Sequence, residues 1–361
     1  MFSFDLRALA DRTGPDRAFL SVYLASEDAR NELDTRFRHV RAFLQDQPDE
    51  LEHFEENVKL IQPLLDAPFE GESRAAFACW ALGFREGHDL PVAVQTRVRV
   101  DSSPYVRPLA EMEDEYEDFA VVVADNKASS VYLVSAAEME REGRVRGDVK
   151  NAVKKGGWSQ KRYARRREKE LERYATDVAA ELAELHAEHP FGRLVILGQD
   201  EAMRAVKNAL SKPMRERIVG ERPIDVAAGE DATERAAFDL YFSGEREEEE
   251  ALWDQIKAGV LSDGLGVAGP GRVLKAAKMG RVDTMIVARE AEIKGSRCRD
   301  CENLAHGMPQ TCYQCGSKDL FAVDLVNELV ELMAQTSAEV DFVDPFDGLA
   351  EVGHVAALLR Y

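Results

Sequence analysis

Residues 154–167 read KKGGWSQKRYARRR, a glycine pair framed by lysines that runs straight into an arginine-studded segment. The chain around it is acidic, with a formal net charge of -20 over 361 residues. Between positions 150 and 173, ten cations stand against Glu168, Glu170 and Glu172, a local +7 that leaves -27 for the rest. Attraction to phosphate depends on local rather than total charge, so this is where an acidic chain would meet a polyanion. Arg162, Arg166, Lys169 and Arg173 recur at i, i+4, i+7 and i+11, on one face of a helix. Such a stripe alone is usually a solvated face. The adjoining Gly156 and Gly157 change the reading, because glycine lets the main chain approach a ligand closely. Ser159 is the expected cap of a helix N-terminus that favours anions. The expected RNA contacts are Lys154, Lys155, Lys161, Arg162, Arg165, Arg166, Arg167, Lys169 and Arg173.

Working outward, FAVVVAD (119–125) and SSVYLVS (129–135) read as a hairpin before the glycine loop. A long helix from about Ser159 to His189 follows, its buried stripe marked by Leu171, Tyr174, Val178, Leu182 and Leu185. RLVILG (193–198) is a strand, 201–210 a helix, and 230–242 a helix ending at a Ser243-Gly244 break. His186 and His189 suit the helix C-terminus as cations, and Asp125 is read as a turn residue.

On the N-terminal side, FLSVYLA (19–25), AAFACWAL (75–82), LPVAV (90–94) and TRVRV (96–100) are β-rich runs. Two amphipathic helical stretches lie between the first two, and 102–118 reads as a crossing to the next unit. Toward the C-terminus the order is helix, helix, strand, cysteine insert, helix (324–336) and two strands. The expectation is a mixed α/β protein of three domains, 1–114, 115–244 and 245–361, with an insert at 296–320. No apolar run reaches the roughly 20 residues needed to span a bilayer, and no leader pattern is visible, so a cytoplasmic protein without a membrane partner is expected.

Four of the five cysteines form two pairs, Cys298-x2-Cys301 and Cys312-x2-Cys315. Two CxxC turns are the spacing that offers four thiolates to one tetrahedral Zn2+. With every position filled by sulfur, such a metal is structural. His306 is read as a solvent residue, and Cys79, in an apolar run, as a small buried hydrophobe.

GGWSQKRYARRREKELERY (156–174) resembles the central-domain signature of the archaeal and eukaryotic class I peptide-chain release factors. Gly156 and Gly157 fall on that family's glycines, Ser159 on its serine, and Arg162, Tyr163, Arg165 and Arg167 on its Arg-aromatic-Arg-Arg set. GRVLKAAKMGRVDTMIV and the closing GHVAALLRY resemble the third domain, and the cysteine pairs its zinc-bearing insert in some archaeal members. The resemblance covers about 120–361 and points to the bacterial branch, which includes rescue-type and Balon-like hibernation factors. It implies an RNase-H-like central domain, an L30e-like C-terminal domain, and a transfer-RNA-shaped factor in the ribosomal A site. Implied partners are ribosomal RNA, P-site peptidyl-tRNA and, as a delivery factor, a translational GTPase.

Two departures bear on chemistry. Trp158 stands at the family's catalytic glutamine, keeping the backbone donor without the carboxamide, while Gln160 lies two residues later. The resemblance makes Gly156, Gly157, Trp158 and Gln160 the catalytic set for hydrolysis of peptidyl-tRNA on stalled ribosomes; passive blockade of the site is the alternative. Residues 1–114 lack the family's stop-codon motifs, so decoding is not expected. A free-standing RNA-binding or nuclease-like protein is the third reading.

Overall fold

A computed structural model describes residues 4–68, 70–125, 128–135, 138–146, 158–225 and 229–361, with the backbone alone at 27, 138–146 and 158–166. Contacts divide these into two compact units, one of residues 116–250 and one joining 2–115 to 251–361.

The first unit is built on five strands in the order Glu138–Arg146, Ala128–Ser135, Phe119–Ala124, Arg193–Gly198, Ile218–Pro223. The first three form an antiparallel meander and the last two add in parallel. Phe119–Ala124 is buried along its whole length because both of its faces are covered. Ala120 and Val122 meet Leu171, Tyr174, Val178 and Leu182 of the helix Trp158–Glu188. Val121 and Val123 alternate to the other side against Ala237 and Tyr241 of the helix Glu230–Leu261. The Tyr174 hydroxyl donates to Ser129 Oγ at 2.5 Å and pins the long helix to the sheet. Gly198 closes the strand Arg193–Gly198 at φ 132°, where a side chain would run into the Ala124 carbonyl.

No break occurs at Ser243-Gly244: the helix Glu230–Leu261 is continuous. Ser243 Oγ bonds back to the Asp239 carbonyl at 2.7 Å, and Gly244 serves a close crossing. A Cβ there would sit 2.9 Å from Val219 Cβ, so the glycine thins the helix where it passes the edge strand.

In the second unit, Phe84–Leu90, Ser73–Cys79, Phe19–Leu24 and Arg97–Asp101 make an antiparallel sheet in that order. The helices Arg30–Phe43 and Pro48–Asp66 cover one face through Leu33, Phe37, Phe54 and Ile61. Cys79 is fully buried, as expected. The strand assigned to LPVAV lies instead at FREGHDL, starting six residues earlier and paired with Ser73–Cys79. An edge strand with a wet face needs few apolar residues, and Pro91 has no N–H for a ladder.

The remaining strands form a second sheet, ordered Gly266–Ala268, Val355–Leu359, Val282–Ala288, Glu339–Val343, beside the helix Leu325–Thr336. The cysteine insert adds its own sheet, Leu304–His306, Lys294–Cys298, Leu320–Asp324. Residues 102–118 are not a free crossing. Ser102 to Arg107 are buried, and Arg107–Glu115 is a helix. The reason is long-range: Asn327 Oδ1 accepts the backbone N–H of Val106 at 2.8 Å and of Arg107 at 3.0 Å, and Ser21 Oγ accepts that of Tyr105 at 2.9 Å. These bonds join the expected first and third domains in one unit.

Candidate functional site

The described helix after the glycine pair runs Trp158–Glu188, so Ser159 lies inside it rather than capping it. Lys154, Lys155, Gly156 and Gly157 lie outside the described residues, as do the side chains of Trp158, Gln160, Lys161, Arg162, Arg165 and Arg166. The backbone of 158–160 is helical, within the described span Trp158–Glu188.

From Arg167 onward side chains are placed, and two kinds of cation separate. Arg167 is in line with Leu171, Tyr174 and Val178 on the inward face, and its guanidinium pairs with Glu201 of the neighbouring helix Asp200–Ala209 at 2.5 Å. Lys169 and Arg173 point the opposite way, are exposed, and make no ion pair among the described residues. The buried stripe and the cationic stripe are therefore roughly opposite, as the 3.6-residue period demands. At the far end, His186 Nδ1 accepts the N–H of Phe191 at 3.2 Å, and the two rings meet edge-on with centroids 4.7 Å apart. Burial and the charge of Arg217 lower its pKa, so this histidine is a neutral acceptor instead of the expected helix-end cation.

The four cysteines come together. Their sulfur atoms all lie within 4.8 Å of one another, with Cys298 and Cys315 at 3.6 Å and Cys301 and Cys312 at 3.5 Å. Four thiolates about 2.3 Å from a tetrahedral ion stand roughly 3.8 Å apart, so the donor set fits a metal. Each knuckle turns the same way: Glu302 (φ 59°) follows Cys301 and Gly316 (φ 78°) follows Cys315. Backbone N–H groups of Cys315 and Gln314 favour the thiolate of Cys312 and bring its pKa down to about 6. His306 is exposed and stands outside the four-sulfur group.

Residues 104–239, which hold the sheet, the long helix and the glycine pair, match bacterial archaeo-eukaryotic release factor family 10. Peptide chain release factor subunit 1 of Thermococcus onnurineus (strain NA1) is 24% identical over 296 residues, 73% of this chain and 71% of the relative. The chain is a bacterial archaeo-eukaryotic release-factor-like protein. Among solved structures, an archaeal translation termination factor aligns over 99% of this release-factor-like protein and 96% of its own chain, at 14% identity and TM-score 0.27. Dom34 of S. cerevisiae, described as a translation termination-like factor involved in RNA quality control and interacting with Hbs1, aligns over 80% and 79% at 10% identity and TM-score 0.46.

One group in the release-factor-like protein has no counterpart in the sequence reading. Arg297, next to Cys298 of the four-cysteine group, donates to Glu328 at 2.5 Å, both side chains being buried. Glu331, one turn on, accepts from Ser103 Oγ at 2.7 Å and Asn327 Nδ2 at 2.6 Å. Burial raises the pKa of Glu328 to about 7 against the pull of Arg297, and burial beside Glu328 also holds that of Glu331 well above the usual carboxylate range. Their i, i+3 spacing carried no signal of burial, because the partners lie far away in the chain.

Proposed function

We propose that this release-factor-like protein is a cytoplasmic translation factor that binds the ribosomal A site and hydrolyses peptidyl-tRNA on stalled ribosomes without reading a stop codon. The reading rests on one observation: the run GGWSQKRYARRR heads a helix that turns Lys169 and Arg173 to solvent on the face shared with Arg162 and Arg166. Basic residues along that face would follow ribosomal RNA and carry the glycine pair to the peptidyl-transferase centre. There backbone N–H groups at the glycine pair and Trp158 would stabilise negative charge developing on the ester, while Gln160 would position the attacking water. Water adds to the ester carbonyl carbon, the bond to the ribose oxygen breaks, and that oxygen leaves with a proton.

The meander-then-parallel sheet supports the RNase-H-like reading of the central domain, and the second unit's mixed sheet the L30e-like reading of residues 245–361. The four cysteines would hold Zn2+ as a closed, structural site. A translational GTPase fits as the delivery partner. Among the described residues no helix is long and apolar enough to cross a membrane.

Trp158 favours a second reading. An indole in place of the carboxamide would fill the centre by stacking on a base and block the A site of idle ribosomes. Release of peptide from ribosome-bound peptidyl-tRNA decides between them. Hydrolysis by the wild type, lost in Gln160→Ala and Gly157→Ala, supports the enzyme; ribosome binding with release no higher than background supports blockade. Cleavage of naked RNA without co-sedimentation with ribosomes would overturn both.

A further inference from the structure

In the unit that joins residues 2–115 to 251–361 there is a groove of about 530 Å³. Its lining includes the consecutive residues 98–101 on one side and 322–324 on the other. A strand face shows every second residue, so consecutive lining residues mark a strand's edge. Arg97–Asp101 is the outermost strand of the N-terminal sheet, and Leu320–Asp324 is the outermost strand of the cysteine-insert sheet. Two sheet edges therefore border one groove, and among the described residues no further strand pairs with either. An unpaired edge offers a row of N–H and C=O groups that an extended segment can complete.

The charges in the groove separate into engaged and available ones. Asp324 accepts from the Tyr105 hydroxyl at 3.1 Å and from the Val326 N–H at 3.0 Å, and Asp101 accepts from the Ser102 N–H at 2.8 Å. Arg17 is paired with Glu50 at 3.4 Å. Arg99 lies over the Tyr105 ring at 5.0 Å and, like Lys294 and the exposed Glu292 of the same lining, makes no ion pair among the described residues, so two cations against one carboxylate are available. On the lip, Phe43 is 84% exposed. A complementary ligand thus brings a backbone to pair, acidic side chains for Arg99 and Lys294, and apolar side chains for Phe43.

We propose that this groove docks an extended acidic segment of a partner protein, added as a β-strand to the edge Arg97–Asp101. Carboxylates of the segment meet Arg99 and Lys294, and its alternate apolar side chains cover Phe43. Single-stranded RNA would use the two cations and leave both edges unpaired, which is why a peptide is the better occupant.

The test uses the full chain and fluorescence anisotropy with four labelled probes. These are a short peptide alternating glutamate and valine, its lysine–valine counterpart, the acidic peptide N-methylated on either alternate set of amides, and oligouridine. The acidic peptide is expected to bind, the lysine peptide not to. One N-methylated set abolishes binding and the other leaves it, because a strand pairs through alternate amides. Arg99→Glu and Lys294→Glu each weaken binding about fivefold, with unchanged denaturation midpoints as the control for folding. The proposal is overturned by equal binding of the two charge types, by indifference to both N-methylated sets, by no binding of the acidic peptide, or by oligouridine binding that is the stronger and is lost in the same two variants.

Discussion

Two helices of this protein carry charged residues at helical spacing and put them to opposite uses. In Trp158–Glu188 the face with Lys169 and Arg173 is in water, opposite the stripe Leu171, Tyr174, Val178 and Leu182. In Leu325–Thr336 the charged and polar positions are inside: Glu328, Glu331 and the neutral Asn327 are exposed by only 1%, 5% and 3%. The first helix follows the rule that charge marks the solvent side. In the second, Arg297, Ser103 and the amides of Val106 and Arg107 supply partners that make burial tolerable. Charge on a helix therefore locates water only where no distant segment answers it.

The largest effect is expected at the four-cysteine group with its proposed metal. Arg297 and Arg299 flank Cys298, and Arg299 is held by Glu50 at 2.6 Å, Asp16 at 2.8 Å and Asp319 at 3.2 Å. Cys298→Ser, or chelation, should loosen both arginines together and lower stability by more than about 5 kcal/mol, since two buried-acid contacts fail with the metal. Chemical denaturation with and without chelator, alongside metal analysis, measures it. Next comes Arg297→Met, which leaves Glu328 buried without its cation and should cost about 3 to 5 kcal/mol. Adding Glu328→Leu should recover most of that loss. If Arg297→Met is silent, the pair does not hold the second helix in place.

A smaller effect comes from pH. Glu328 and Glu331 have folded-state pKa values raised above the unfolded range near 4.5, Glu328 to about 7. Between those values the folded chain holds more protons than the unfolded one, so stability falls as pH rises. The Glu328 contribution is complete below about pH 4.5 and disappears as pH passes 7, and that of Glu331 is lost in the same direction. The unfolding free energy from urea denaturation should drop between pH 5 and 8 by on the order of 2 kcal/mol, and Glu331→Gln should flatten the slope. A midpoint that rises across this window would contradict the burial argument.

The contrast also explains what could be read in advance. The long helix, the hairpin of Phe119–Ala124 with Ala128–Ser135, and the cysteine pairs declare themselves through local spacing, and the structure has all three. Gly244 looked like a helix end because its use, clearance for Val219, is set by a strand some 25 residues earlier. FREGHDL lacked an apolar signature because its partner Ser73–Cys79 supplies the core side of that edge. The run 102–118 read as a linker because Asn327, which binds its amides, is more than 200 positions away. Within the candidate site, the separation of Arg167 from Lys169 and Arg173 was latent in the period but needed Glu201 to become visible.

The smallest stability effect is the most informative about function. Lys169→Glu and Arg173→Glu alter exposed positions with no ion pair among the described residues, so each should change folding stability by no more than about 0.5 kcal/mol. If the face follows ribosomal RNA, each should still weaken ribosome binding and lower the salt dependence of that binding by about one counterion. Arg167→Glu provides the internal contrast on the same helix. Its guanidinium is held by Glu201, so reversal should place two carboxylates together and cost stability before it costs affinity. Equal losses of affinity for all three, with no loss of stability in Arg167→Glu, would mean that the inward and outward cations act alike and that the distinction between the two faces does not govern RNA contact.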